Sequence, residues 1–170
     1  LGSSLASYFA PKGYLSSQSL NHNWPTGDLE VLYKTASDSA ADIRYSSTIG
    51  IWDRTGDYFC KKFTPEDVPV RNDDGTDFPI IRFADVLLML AEVKGQAEGL
   101  QYLNQVRNRA GTFPIDASMI GPGLLFETYQ EAVLTERRLE LAFEDDRFFD
   151  LRRMGNQYAT DRLYAFYTSI

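Results

Sequence analysis

A chain of 170 residues with 44% hydrophobic and 24% charged content is long enough to bury one core and too apolar to stay disordered. Its 17 Lys and Arg against 24 Asp and Glu give a formal charge of -7, the wrong sign for holding phosphate backbones or anionic lipid, so nucleic acid is excluded as a leading partner. The longest apolar run, residues 86–90 with Ala91 after it, falls far short of the about 20 residues of a membrane helix. Cys60 is the single cysteine and has no partner for a disulfide or at metal-ligand spacing. The chain opens on Leu1 with no signal pattern behind it, which reads as a processed or truncated chain.

Residues 1–78 form a loop-rich segment in which Ser, Gly, Asn and Asp dominate up to about residue 42, with Trp24-Pro25-Thr26-Gly27-Asp28 as a turn and room for a short helix over 29–34. From Asp42 onward Ile43, Tyr45, Ile49 and Ile51 alternate with Arg44, Ser46, Thr48 and Gly50, the two-residue period of a half-buried strand. A turn over 53–57 lets residues 58–63 pair back, so a β-hairpin is expected near 43–63. Residues 79–170 are predicted helical. Pro79 suits a first helical turn, and Ile80, Ala84, Leu87, Leu88 and Ala91 recur at helical steps through Lys94. Gly95 and Gly99 bracket a reversal, after which Leu100, Leu103, Val106 and Ala110 make a second stripe stopped by Gly111. A long helix is predicted over 124–144 and a shorter one over 147–154, ended by Gly155. Two successive helical hairpins give a mainly α chain of tetratricopeptide-like type with a small β-hairpin and long loops, although neither hairpin carries that repeat's full consensus.

Four strings stand in a fixed order. They are Pro79-Ile80-Ile81-Arg82-Phe83-Ala84-Asp85-Val86-Leu87-Leu88-Met89-Leu90-Ala91-Glu92, then Leu103-Asn104-Gln105-Val106-Arg107-Asn108-Arg109-Ala110-Gly111, then Glu136-Arg137-Arg138-Leu139-Glu140-Leu141-Ala142-Phe143-Glu144, and finally Arg147-Phe148-Phe149-Asp150-Leu151-Arg152-Arg153-Met154-Gly155. Together they resemble the signatures of the SusD-like (RagB/SusD) family over about residues 78–155, with further support from Asp42-Ile43-Arg44. The spacing from Glu92 to Leu103 is short for that family, and its usual Pro- and Asn-rich tail is absent before Ile170. The resemblance implies the carboxyl-terminal portion of a longer outer-membrane lipoprotein, anchored through an upstream lipidated cysteine outside this sequence. It also implies a partner, a TonB-dependent (SusC-like) transporter, to which captured oligosaccharide, or in some members peptide, is delivered without covalent chemistry.

Glu136, Glu140 and Glu144 lie four apart on one helical face, and carboxylate pairs are the tools of glycosidases. Those pairs face each other across a substrate, whereas these project side by side among arginines. A buried structural network of Glu136, Arg137, Glu140, Arg147 and Asp150 is therefore expected, and no catalytic residue is assigned. Arg82, Glu92, Asn104 and Arg107 are expected to satisfy polar groups between helices. His22 is the only histidine and lacks neighbouring ligands, and Asp73, Asp74 and Asp77 beside Gly75 read as a solvated loop before they read as a Ca²⁺ site. No cofactor and no metal is implied. Sugar rings pack their C–H faces on aromatic rings while polar neighbours take the hydroxyls, so Trp24, Trp52, Asp53, Arg54 and Tyr58, with Tyr14 as a weaker choice, are the expected ligand residues. The alternatives are a receptor for peptides or other oligomers and a helical scaffold that binds only protein. An enzyme would need a nucleophile and base at workable spacing, and the sequence offers neither Cys with His nor Ser with His.

Overall fold

The structure is a computed structural model, and it describes residues 4–15, 19–36, 42–64 and 75–168. Within these the chain is mainly helical with one two-stranded antiparallel sheet. No helix among the described residues is long and apolar enough to cross a membrane.

Helix α1 (Leu5–Phe9) ends at Ala10, whose extended backbone precedes Pro11 as proline sterics require. Helix α2 (Gly27–Thr35) carries Asp28 and Glu30 in its first turn and Lys34 in its last, each matched in sign to the helix dipole. Its buried residues are Leu29 and Tyr33, and the Tyr33 hydroxyl donates to the Leu139 carbonyl at 2.6 Å.

The next segment departs from the expected strand. Residues Ile43–Thr48 form helix α3, because the Asp42 side chain accepts from the Arg44 backbone N–H at 2.9 Å and caps a helical turn. Ile43, predicted inward, is 58% exposed, while Arg44 is buried. Only then do β1 (Ile49–Trp52) and β2 (Asp57–Cys60) pair, with Ile49 opposite Cys60 and Trp52 opposite Asp57. Phe59 lies over Gly50 so closely that any side chain at that position would collide with the ring.

Helix α4 (Phe83–Arg109) starts three residues later than the Ile80 stripe suggested, and Ile80 is 88% exposed. Gly95, at φ 66° and ψ 179°, breaks it into two arms, a conformation open essentially to glycine. The arms fold back on each other at Gly99, where a Cβ would strike the Ala91 carbonyl and the Tyr129 hydroxyl. This is the helical hairpin expected from the Gly95 and Gly99 pair.

Helix α5 (Tyr129–Glu140) is shorter at both ends than the predicted 124–144. Thr128 accepts from the Glu131 N–H at 3.1 Å and fixes the start, and Leu124 and Leu125 stay exposed outside it. Phe143 and Asp145, both at positive φ, turn the chain after Leu141 into α6 (Asp146–Arg153). Helix α7 (Asn156–Thr168) follows Gly155, beyond the last helix individually expected.

The main core packs Leu88, Ala91, Leu103 and Val106 of α4 against Ala132 and Val133 of α5. A second cluster joins Leu29, Tyr33 and Ile49 to Leu139, so the amino-terminal segment shares α5 with the helical half. Phe9, Cys60 and Phe63 form a third.

Candidate functional site

Glu136 and Glu140 on one face of α5, with Glu144 in the turn that follows it, present three carboxylates at four-residue steps, and each is met by guanidinium groups from other segments. Glu136, fully buried, accepts from Arg44 and Arg107, both at 2.6 Å. Glu140 takes Arg109 at 2.6 Å, Arg82 at 2.9 Å and Arg44 at 3.3 Å. Glu144 takes Arg82 at 2.7 Å and also pairs with Lys62. On the neighbouring face Arg137 bridges Asp85 and Asp150, both at 2.7 Å, with Asp146 at 3.6 Å. Asp150 also receives Arg153 at 2.9 Å, and Arg153 reaches Glu92 at 2.8 Å.

These pairs set the charge states. Burial pushes Glu140 up, but Arg109, Arg82 and Arg44 together outweigh it and hold the carboxyl below its ordinary range. Burial pulls Arg44 down, and Asp42 with Glu136 more than restores it. The α5 carboxylates thus lie side by side, occupied by arginines, and the arrangement joins segments of the fold.

Four of the five expected network members, Glu136, Arg137, Glu140 and Asp150, are buried and ion-paired. Arg147 is a correction. It lies half-buried beside Arg138 and Arg162, with no carboxylate in ion-pairing reach among the described residues, because Arg137 takes Asp150 instead. Arg44, Arg109, Lys62 and Asp85 are members that sequence reasoning missed. Only the Asp42-Ile43-Arg44 string hinted at the first of them. Arg82, Glu92 and Arg107 are paired as expected, and Asn104 exchanges two 2.8 Å hydrogen bonds with the Ile115 backbone.

The sequence-chosen ligand residues gather unevenly at the hairpin. Trp52 is half-buried and packs edge-on against Tyr14, ring centres 5.9 Å apart and planes at 80°. The Arg54 guanidinium lies 5.8 Å from the Trp52 ring centre, and Asp53 is exposed beside it. Tyr58 pairs with Ile51 and so projects from the opposite face of the hairpin to Trp52. Trp24 is 62% exposed on the segment before α2, and Asn21 ties that segment to β2 through a 3.4 Å bond to the Tyr58 carbonyl. His22 is exposed, and among the described residues no three His, Cys, Asp or Glu side chains group to hold a metal. Asp73 and Asp74 lie outside the described residues.

A helical hairpin scaffold with a charged, structural interior and a small β-hairpin describes a class of helical proteins with ion-paired cores. The model of the SusD family matches residues 18–168, and the chain belongs to that family. A SusD-like protein, P2, of Formosa agariphila is 34% identical over 94 residues, half of this chain and 19% of its own length. A SusD superfamily protein from Bacteroides vulgatus superposes on 91% of this chain with a TM-score of 0.67 at 24% identity, covering 38% of that chain. Surface glycan-binding protein A from Bacteroides uniformis superposes on 90% with a TM-score of 0.63 at 25% identity, covering 36% of that chain. The chain therefore spans well under half the length of each of these relatives.

Proposed function

We propose that this protein binds glycans at the cell surface, as a component of an outer-membrane lipoprotein that passes them to a TonB-dependent, SusC-like transporter. Family membership carries the reading, together with the similarity to a surface glycan-binding protein. The occupied carboxylates of Glu136, Glu140 and Glu144 favour binding over hydrolysis, since a glycosidase needs one carboxyl free to donate a proton and another free to attack or activate water.

The proposed glycan platform is Trp52, with Arg54 and Asp53 to meet hydroxyls and Tyr14 to brace the ring. Trp24 supplies a second, more exposed ring, and Tyr58 serves the other side of the hairpin. Isothermal titration against oligosaccharide and peptide pools tests the reading. Binding to oligosaccharides and not peptides is expected, and Trp52→Ala should weaken it about thirtyfold, the loss of a roughly 2 kcal/mol anchor. Peptide binding alone would favour the peptide-receptor alternative. Failure of both pools with retained capture of a SusC-like barrel would favour a protein-binding scaffold, and product release from a glycan pool would favour an enzyme.

A further inference from the structure

Arg147 stands on the inward side of α6, which also carries the buried Asp150 and Leu151. It lines a 430 Å³ cleft between α5, α6, α7 and the start of α2, together with Asp28, Arg138, Leu151, Arg162, Leu163 and Phe166. The other charges there are committed. Arg138 is held by Asp28 at 2.5 Å and Arg162 by Glu131 at 3.3 Å, while Asp150 and Asp146 are engaged by Arg137. Arg147 makes no ion pair among the described residues, and the Arg138 and Arg162 charges beside it are only partly offset by Asp150, which Arg137 already holds. Burial first, and then the Arg138 charge, push its guanidinium from 12.5 down to about 10.

A half-buried charge without an ion pair costs stability, and the cost is recovered when an anion enters. The cleft's volume falls in the range of ligand sites, about 300–1,000 Å³. Its walls pair guanidinium groups with the apolar side chains of Leu151, Leu163 and Phe166. That combination suits a ring with an apolar C–H face and one carboxylate, which a planar guanidinium grips in two-point fashion.

We infer that this cleft is a binding site for the carboxylate of a sugar acid, with Arg147 as its direct partner and Arg138 and Arg162 flanking. The inference rests on the glycan-binding reading and extends it to acidic glycans at a place apart from the hairpin aromatics.

Thermal shift and titration calorimetry with D-glucuronate and D-galacturonate test it, with D-glucose, D-galactose and chloride at matched ionic strength as controls. The uronates should raise Tm saturably while the neutral sugars and chloride do not. Arg147→Met keeps the aliphatic stem and removes the charge, so it should raise the ligand-free Tm by about 2–4 °C and abolish the uronate response. Arg147→Lys keeps the charge without the fork and should bind uronate about tenfold more weakly. A uronate response retained in Arg147→Met overturns the assignment, as does an equal shift with chloride, which would mean general screening. Neutral oligosaccharide binding without any uronate response sinks the cleft and leaves the glycan reading standing. Absence of both kinds of binding sinks the two together.

Discussion

Glu136→Gln is the most informative single change to the interior. The substitution keeps shape and volume but removes the charge that Arg44 and Arg107 share at 2.6 Å each. Arg44 retains Asp42 and Glu140, whereas Arg107, itself fully buried, keeps among the described residues the Phe113 carbonyl at 2.9 Å and the Phe113 ring. Breaking a buried pair from one side costs about 3–5 kcal/mol, because the surviving charge is stranded. For a chain of this length that corresponds to a fall in Tm of roughly 6–20 °C. Urea unfolding followed by circular dichroism measures it, with Glu98→Gln as control, since Glu98 is exposed and its ion pair among the described residues is with the exposed Lys94 across the Gly95 break. If the two variants unfold at the same urea concentration, the α5 ladder contributes no more than a surface pair and the network reasoning is wrong. Coupling Glu136→Gln with Arg107→Met adds a second check, because removing both partners should cost less than the sum of the single changes.

Glu140 sets the acid limit of stability. Its folded carboxyl lies below the ordinary 4.5, so its stabilisation is fully present above that pH and is lost as pH falls through the folded value. Melting temperature recorded from neutral to acid pH should therefore fall more steeply in the wild type than in Glu140→Gln, and parallel curves would contradict this. At Gly99 a methyl group meets backbone and a hydroxyl, so Gly99→Ala should destabilise by about 1–3 kcal/mol in chemical denaturation. Gly27→Ala, at a position with open space around it, should be close to neutral, and similar losses at the two glycines would refute the close approach at Ala91.

The helical hairpin of α4 was legible because two apolar stripes flank Gly95, and only glycine accommodates the turn found there. Residues 43–48 were misread because a four-position alternation is too short to separate strand from helix, and the deciding partner of Arg44 is Glu136, 92 residues away. The Asp42 cap was the local signal that could have corrected it. Thr128 with Glu131 likewise marked the true start of α5, against the apolar pull of Leu124 and Leu125. Helix α7 shows no stripe to read, since Ala159 is its one fully buried residue among those described. The pairing of α5 with arginines was readable as chemistry but not as partners. Which guanidinium meets which carboxylate depends on tertiary approach, and Arg147 lost its expected role to Arg137 for that reason. The contact of Trp52 with Tyr14 joins residues far apart along the chain, which no periodicity encodes.

The α5 ladder also governs how the molecule comes apart. Its cations arrive from Arg44 in α3, Lys62 after β2, Arg82 before α4 and Arg107 with Arg109 at the end of α4. Those pairings span 29 to 96 residues along the chain. Each therefore closes a loop whose entropy must be surrendered before the charges meet, so the ladder assembles late in folding. Once assembled it resists partial opening, since lifting one segment takes a cation away from a buried carboxylate. Hydrogen exchange in α3, α5 and the second arm of α4 is therefore expected to be coupled, with the amide protons of these distant stretches sharing similar protection.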